Sequence, residues 1–312
     1  MKNKVTKNIS LIAIWLFSAF YGVSQQSFDF VKAEIELTRL FQTLSRSQDH
    51  HVRNSANEEF LTLLKSTLEE KGAFDYPFAH LQFRKLTPTD KKFRLFNWIL
   101  EKEDGKEFFG VMMVLDKQKK NYQIIQLMDD SDGIFDLPNA ILGKDNWFGT
   151  FYSEVIQTEA NGRKYYTLLG WNGNDRTVNR RIIEILTFDS NGYPVFGADI
   201  FTGRRGQKEK FKRRIFEHSR RGSMILRYDY QAYSEPVGTP KPGQRQKEKL
   251  IRANMIVFDR LVPPNPEMIS SPESYIAGGG VYDAYVWLNG RWTLKLDILA
   301  RNPEPPRTRR RR

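Results

Sequence analysis

The residues best suited to chemistry lie together in one segment, KYYTLLGWNGNDRTVNRR, which spans residues 164–181. An apolar run ends at Trp171, and Asp175, Arg176 and Arg180 follow closely. An aromatic ring, a carboxylate and guanidinium groups at this spacing could bind a polar ligand at a strand end, where loops held by a scaffold often carry function. Nothing nearby supplies a nucleophile or a tuned base. We therefore predict ligand binding here and assign no catalytic residue.

A structural interpretation of the same segment is also open, and we favour it over catalysis. Trp171 would cap the core at the end of a strand, and Asn172-Gly173 would form a tight turn. Asp175 would then N-cap a short helical turn from Arg176 to Arg180 by accepting backbone N–H bonds. The arginines would be solvated or would pair with Asp175.

Other catalytic and metal-binding signatures are missing from the sequence. The chain has no cysteine, which excludes disulfides, thiolate nucleophiles and cysteine-based metal centres. Its 4 histidines have no metal-ligand spacing, and there is no nucleophile elbow or phosphate-binding glycine loop. Residues 129–133 (DDSDG) fit part of a calcium loop but lack its first and last ligands, so we interpret them as an Asp-rich turn. We predict no metal and no cofactor.

Glycoside hydrolysis needs two carboxylates that can be far apart in the chain, so the sequence leaves it open. Trp147, Trp171, Trp287 and Trp292 could line a sugar groove. The last two flank the Asn289-Gly290 dipeptide, and a cross-strand aromatic pair explains them without a ligand.

The first 24 residues have the pattern of a secretory signal peptide. Three lysines precede an apolar run over residues 9–20, and Gly22 and Ser24 occupy the −3 and −1 positions of a cleavage site. The run is shorter than the roughly 20 residues that span a membrane, and no later segment is longer. We expect an exported chain that begins near Gln25, has no transmembrane helix after cleavage, and resides in the periplasm or at the outer membrane.

The formal net charge of +12 is concentrated in a few segments. Residues 203–221 hold nine basic and two acidic residues, which gives +7, and residues 241–252 are also basic. We predict that Arg213 and Arg214 belong to a basic, ligand-binding face. Such a face could hold the protein on an anionic envelope surface or on another envelope protein. We expect no nucleic-acid partner, because an exported protein rarely meets nucleic acid.

Periodicity predicts an α+β fold, in which an N-terminal helical hairpin precedes a large antiparallel β-meander that closes as a sandwich or barrel-like sheet. Apolar residues recur at helical spacing over residues 28–46 and 56–71. Ser55 and Glu58 form a capping box at the start of the second helix, and Gly72 is placed to end it.

Four Asp-Gly or Asn-Gly dipeptides interrupt strand-like runs and predict hairpin turns, because both central residues of a type I′ turn need a positive φ. They lie at residues 104–105, 161–162, 191–192 and 289–290. Arg221-Gly222 is a candidate fifth turn, which would join the basic strand KFKRRIFEH to SMILRYDY.

We predict a single α+β domain over residues 25–300, with helices over about 28–71 and a β-rich part over about 90–300, followed by a disordered basic tail, 301–312. Within it, residues 231–247 and 261–280 form long Pro/Gly-rich connections. We favour a non-enzymatic binding or structural module. The alternative is a periplasmic hydrolase whose cleft is built from these two connections. A pocket with two buried carboxylates would favour the hydrolase, and a continuous basic face would favour binding.

Two blocks of the sequence carry a resemblance to a known family. KYYTLLGWNGNDRTVNRRIIEILTF and MIVFDRLVPPNPEM, together with the later YDAYVW and RWTLKLDI, resemble a family of exported Bacteroidota proteins with no known activity. GWNGND is the most specific part. The resemblance implies a periplasmic or cell-surface setting and brings no cofactor or catalytic residue.

Overall fold

A computed structural model describes residues 28–116, 121–173, 177–203, 207–239 and 243–299. The predicted signal peptide and the basic tail lie outside the described residues, as do Asp175 and Arg176. Within these ranges, two helices precede three mostly antiparallel sheets, so the predicted α+β fold with a sandwich-like β body is confirmed. The helices are α1 (Phe30–Arg46) and α2 (His50–Glu69).

Each helix begins at an aspartate that caps its first turn. The carboxylate of Asp29 accepts a backbone N–H bond at the start of α1, and that of Asp49 accepts two at the start of α2. The predicted capping box at Ser55 is wrong, because Asp49 starts α2 earlier and leaves Ser55 inside the helix. His50 and His51 consequently lie in the first turn of α2 rather than in a loop.

The described strands form three sheets. The first sheet has the order β1-β2-β3-β4, the second β10-β7-β6-β5 with β8 also paired to β7, and the third β11-β12-β13-β14-β9. The strands are β1 (Lys85–Leu86), β2 (Phe93–Glu101), β3 (Lys106–Asp116), β4 (Asn121–Leu127), β5 (Phe151–Ala160), β6 (Arg163–Asn172), β7 (Val178–Phe188), β8 (Pro194–Phe196), β9 (Phe201–Thr202), β10 (Arg214–Ser219), β11 (Leu226–Pro236), β12 (Glu248–Val262), β13 (Ile276–Leu288) and β14 (Arg291–Lys295).

Three of the buried apolar clusters separate four layers: the helices, the first sheet, the second sheet and the third sheet. Inner strands such as β2 and β6 are therefore apolar on both faces, as in sheets covered on both sides. One buried side-chain hydrogen bond crosses from α2 to the first sheet, where the Trp98 indole donates to Asn57 at 2.8 Å. Another joins the third sheet to the second, where the Trp292 indole donates to Thr167 at 2.8 Å.

The predicted hairpin turns have different outcomes. At Asn161-Gly162 and Asn289-Gly290 both residues have positive φ and each turn joins adjacent antiparallel strands, as predicted. Trp287 and Trp292 form the predicted cross-strand pair, with ring centroids 5.2 Å apart. The candidate turn at Arg221-Gly222 is not a hairpin, because β10 pairs with β7 and β11 pairs with β12. The two strands of the basic segment do not adjoin.

Both Pro/Gly-rich connections are shorter than predicted. Residues 231–236 belong to β11, and β12 begins at Glu248. The second connection contains two short 3-10 turns, at Pro266–Met268 and Pro272–Ser274, before β13 begins at Ile276. No helix within the described ranges has the length and apolar character of a membrane-crossing segment.

Candidate functional site

Trp171, the first predicted ligand residue, closes the end of a core. Its ring packs edge-on against Phe108, with centroids 6.3 Å apart, beside the cluster between the first and second sheets. The ring also covers Gly173, where a Cβ would lie 2.1 Å from it. Trp171 therefore packs at the end of the core, as the structural interpretation expected. Asn172 is the last residue of β6, opposite Arg180, and not the start of a tight turn as predicted.

The Asp-rich segment is also a structural turn. Ser131–Gly133 form a 3-10 turn. The Asp129 carboxylate accepts backbone N–H bonds from Phe108, Ser131 and Gly149. In the part of the chain that is described, no three His, Asp or Glu side chains are grouped as a metal site requires.

Arg213 does not belong to a ligand-binding face. Its side chain is fully buried and donates to the buried Glu184 carboxylate at 2.7 Å, to the Phe196 carbonyl at 3.2 Å and to the Leu137 carbonyl. Burial raises the pKa of Glu184, and the adjacent Arg213 opposes this rise. The prediction that Arg213 belongs to a ligand-binding face is wrong, because its side chain, just before β10, is buried and paired with Glu184.

Arg180 lies in strand β7 and not in the short helical turn proposed for residues 176–180. Its Nε donates at 2.8 Å to Glu217, the residue directly across from it on β10. This ion pair lies on the face of the second sheet that is turned towards the first sheet, because the neighbouring Ile215 packs on the core between those sheets.

Arg214 lies on the opposite face of β10. Its guanidinium carbon is 5.3 Å from the Phe211 ring centroid and 4.9 Å from that of Phe216. Phe216 belongs to the core between the second and third sheets. No carboxylate of the described chain pairs with Arg214, and its buried Nε has no hydrogen-bond partner there. Of the predicted ligand residues that are described, Arg214 is therefore the one with unused polar capacity.

Strand β10 is an edge of the second sheet, and part of its outer edge is unpaired. The backbone N–H of Arg213 donates to Pro138 and that of Ser219 donates to Tyr275, so odd-numbered residues point their backbone groups outwards. The outward groups of Ile215 and Glu217 have no backbone partner in the described ranges. Two N–H donors and two carbonyl acceptors thus lie between the Arg213–Pro138 and Ser219–Tyr275 hydrogen bonds, which are roughly 20 Å apart along the strand.

Two clefts flank this unpaired edge, and both are lined by Ile215 and Glu217. The cleft towards the first sheet, the Phe148 cleft, has a volume of about 670 Å³. Its wall contains the apolar side chains of Ile134, Leu137 and Phe148 and the polar side chains of Asn172 and Arg180. Such a size and mixture are typical of ligand sites.

The cleft towards the third sheet, the Arg214 cleft, has a volume of about 360 Å³ and is lined by Arg214, Phe258, Arg260 and Tyr275, among others. Two buried carboxylates, Asp259 and Asp283, also line it. Both have structural partners. Asp283 accepts bonds from Arg260 and from the backbone N–H of Asp297, and Asp259 accepts the backbone N–H of Ile225 at 2.6 Å.

One histidine lies near the Arg214 cleft, on the same face of β10. His218 is buried, its Nδ1 contacts the Ser219 carbonyl at 3.0 Å, and its Nε2 has no partner in the described chain. Burial lowers the pKa of His218, so the ring is neutral at neutral pH. No serine or threonine hydroxyl lies among the residues that line this cleft.

The sequence alone did not identify this groove. The segment RIFEHS gives a strand, but edge status depends on which strand lies beside it in space. A weak signal was present, because charged residues such as Arg214 and Glu217 are a common feature of edge strands.

Comparisons with protein-family models, with curated proteins and with solved structures gave no match to this chain.

Proposed function

We propose that the protein is an exported, non-enzymatic binding module of the cell envelope, which holds an extended segment of another envelope protein by adding it as a strand to β10. The observation that carries the proposal is the unpaired outer edge at Ile215 and Glu217, with a cleft on each side. In β-strand addition, main-chain hydrogen bonds provide affinity and pockets for alternate side chains provide specificity.

The geometry at both ends of the edge supports a short, defined docking slot. The Pro138 carbonyl occupies the edge at Arg213, and the Tyr275 carbonyl occupies it at Ser219. A long strand of a second copy would collide with Pro138 and Tyr275 at the two ends of the edge, whereas a segment of a few paired residues fits between them. The charged residues Arg214 and Glu217 protect the same edge from unspecific pairing.

The envelope setting rests on the N-terminal sequence pattern. A positive segment, an apolar run and small residues before Gln25 are the features of an exported precursor. An exported module meets other envelope polypeptides, which supply extended segments. We therefore prefer a protein partner to an anionic lipid surface, since Arg213, in the described part of the basic segment, is buried and paired with Glu184 instead of contributing to a basic face.

The hydrolase alternative is supported by the presence of two buried carboxylates in one cleft but not by their hydrogen-bond partners. The Arg214 cleft does contain two buried carboxylates, and Leu261, Pro272 and Tyr275 from the second Pro/Gly-rich connection line it. However, Asp283 is held by Arg260 and Asp259 by the backbone of Ile225, so neither is poised as an acid or base. Binding explains the cleft and the unpaired edge together.

The test uses a displayed library of random peptides, selected on the wild-type protein. Enriched peptides are then measured against Ile215→Pro and Ile215→Ala. Proline removes the outward N–H, which β7 does not use, and proline is tolerated on edge strands. Alanine removes the same side chain but keeps the N–H. We expect Ile215→Pro to lose binding and Ile215→Ala to retain more of it. A lack of enriched peptides, or equal binding by both variants, would overturn the proposal.

A further inference from the structure

The groove also determines which side chains an added strand must carry. Successive residues of a strand point to opposite sides, so alternate side chains would enter the two clefts. On β10 itself, Ile215 faces the first sheet and Phe216 faces the third. The chemistry of each cleft therefore specifies one half of the ligand's side chains.

The Phe148 cleft suits apolar side chains. Ile134, Leu137 and Phe148 line its base together with Ile215, and they adjoin the core between the first and second sheets. The cation on its wall, Arg180, is already paired with Glu217 at 2.8 Å. A charged ligand group there would have to compete with this pair.

On the other side of the edge the charges are mixed, because Glu217, Asp259 and Asp283 line the cleft together with Arg214 and Arg260. Arg214 lines its cleft without a carboxylate partner in the described chain, and its Nε is buried and unbonded. By contrast, Arg260 is neutralised by Asp283 and Asp297.

We infer that the groove selects an extended polypeptide segment in which apolar and acidic residues alternate, with the apolar side chains in the Phe148 cleft and a carboxylate against the Arg214 guanidinium. The inference rests on the proposed strand addition. A carboxylate supplies the charged partner that the Arg214 guanidinium lacks in the described chain, and charge-assisted hydrogen bonds of this kind are among the strongest in proteins.

The experiment compares synthetic peptides by calorimetric titration. The alternating peptide TVEVEVT is measured with TVQVQVT, TVKVKVT and the block peptide TVVVEET, which has the composition of the first. We expect TVEVEVT to bind the wild-type protein about ten- to a hundredfold more tightly than TVQVQVT, the range for a hydrogen bond to a charged group. TVKVKVT and TVVVEET should bind most weakly.

In the second part of the experiment, the same peptides are titrated against the variant Arg214→Gln, with Arg39→Gln as its control. Arg39 lies on the exposed face of α1, where it pairs with Glu36, so this variant makes the same change in charge outside the groove. We expect Arg214→Gln to bind TVEVEVT and TVQVQVT equally and Arg39→Gln to behave as wild type. If Arg214→Gln does not fold, the wild-type comparison of the two peptides still decides.

The outcomes separate the two ideas. If TVEVEVT and TVQVQVT bind the wild type equally well and Ile215→Pro abolishes both, strand addition stands and the acidic preference is overturned. If neither these peptides nor any library peptide binds, strand addition itself is overturned, and the inference with it.

Discussion

At the scale of single residues, two of the buried polar side chains in the described chain have opposite character. Arg213 is satisfied by Glu184 and two backbone carbonyls, whereas the buried His218 leaves its Nε2 without a partner in the described chain. A satisfied buried cation is costly to interrupt, and an unsatisfied imidazole is sensitive to protonation. Each residue therefore leads to a different kind of measurement.

We predict that Arg213→Met lowers the free energy of unfolding by about 3–5 kcal/mol, because Glu184 is left buried without its counter-charge. The double variant Glu184→Leu with Arg213→Met should recover part of this loss. Recovery is incomplete because the carbonyls of Leu137 and Phe196 still lack their donor. Chemical denaturation of the three proteins measures both effects. An Arg213→Met protein as stable as wild type would refute the structural role of this pair.

The second residue-scale prediction concerns pH. Burial lowers the pKa of His218 in the folded chain, with Arg181 adding to this effect and Ser219 and Asp259 opposing it. As pH falls below about 6.5, the unfolded chain takes up this proton first, so the free energy of unfolding decreases. His218→Gln should remove this component between about pH 7 and pH 5. His80→Gln, a change at an exposed position, is the control; an identical pH dependence in both variants would contradict the prediction.

At the scale of elements, turns that depend on local chemistry could be predicted from the sequence, whereas those that depend on long-range strand pairing could not. The Asn161-Gly162 turn could be predicted because two adjacent residues impose its backbone. The Arg221-Gly222 turn could not, because β10 and β11 pair with distant strands, β7 and β12. For the same reason the sequence predicted Arg214 as a ligand residue but could not establish that the edge of β10 is unpaired or that Arg213 is buried.

Alanine substitutions at two glycines test the difference between the local turn at Asn161-Gly162 and the segment at Arg221-Gly222. Gly162 has a φ of 71°, and no atom lies within 4 Å of the place that a Cβ would take, so Gly162→Ala should cost about 1–2 kcal/mol through backbone strain alone. Gly222 has no positive φ, and a Cβ there meets its nearest atom at 3.7 Å, an ordinary contact. Gly222→Ala should therefore be nearly neutral in thermal unfolding. Equal losses in both variants would mean that residues 221–222 form a tight hairpin turn after all.

At the scale of the whole molecule, four layers place the second sheet inside the protein, and only the edges of that sheet can reach a partner. The α+β class, the order of helices before strands and the two-sided apolar character of β6 could be predicted from periodicity. The stacking of three sheets could not, since it depends on side-chain contacts between distant strands such as that of Trp292 with Thr167. The extent of the domain over residues 25–300 stays a prediction.

Export is the prediction that belongs to the whole molecule. Protein recovered from its native host should begin near Gln25, because the preceding residues have the features that signal peptidases recognise. Mass spectrometry of the N-terminal peptide measures this. A chain that retains Met1 in the cytoplasm would rule out the envelope setting, although strand addition at β10 would still be testable with purified protein.

The most direct test of strand addition is hydrogen exchange at single amides of β10, measured with and without a saturating library-selected peptide. In the unbound protein the outward amides of Ile215 and Glu217 should exchange quickly, while that of Phe216, which points towards β7, is protected. Strand addition predicts that the peptide slows exchange at Ile215 and Glu217 and leaves Phe216 unchanged. Saturated peptide binding with unchanged exchange at both outward amides would contradict it.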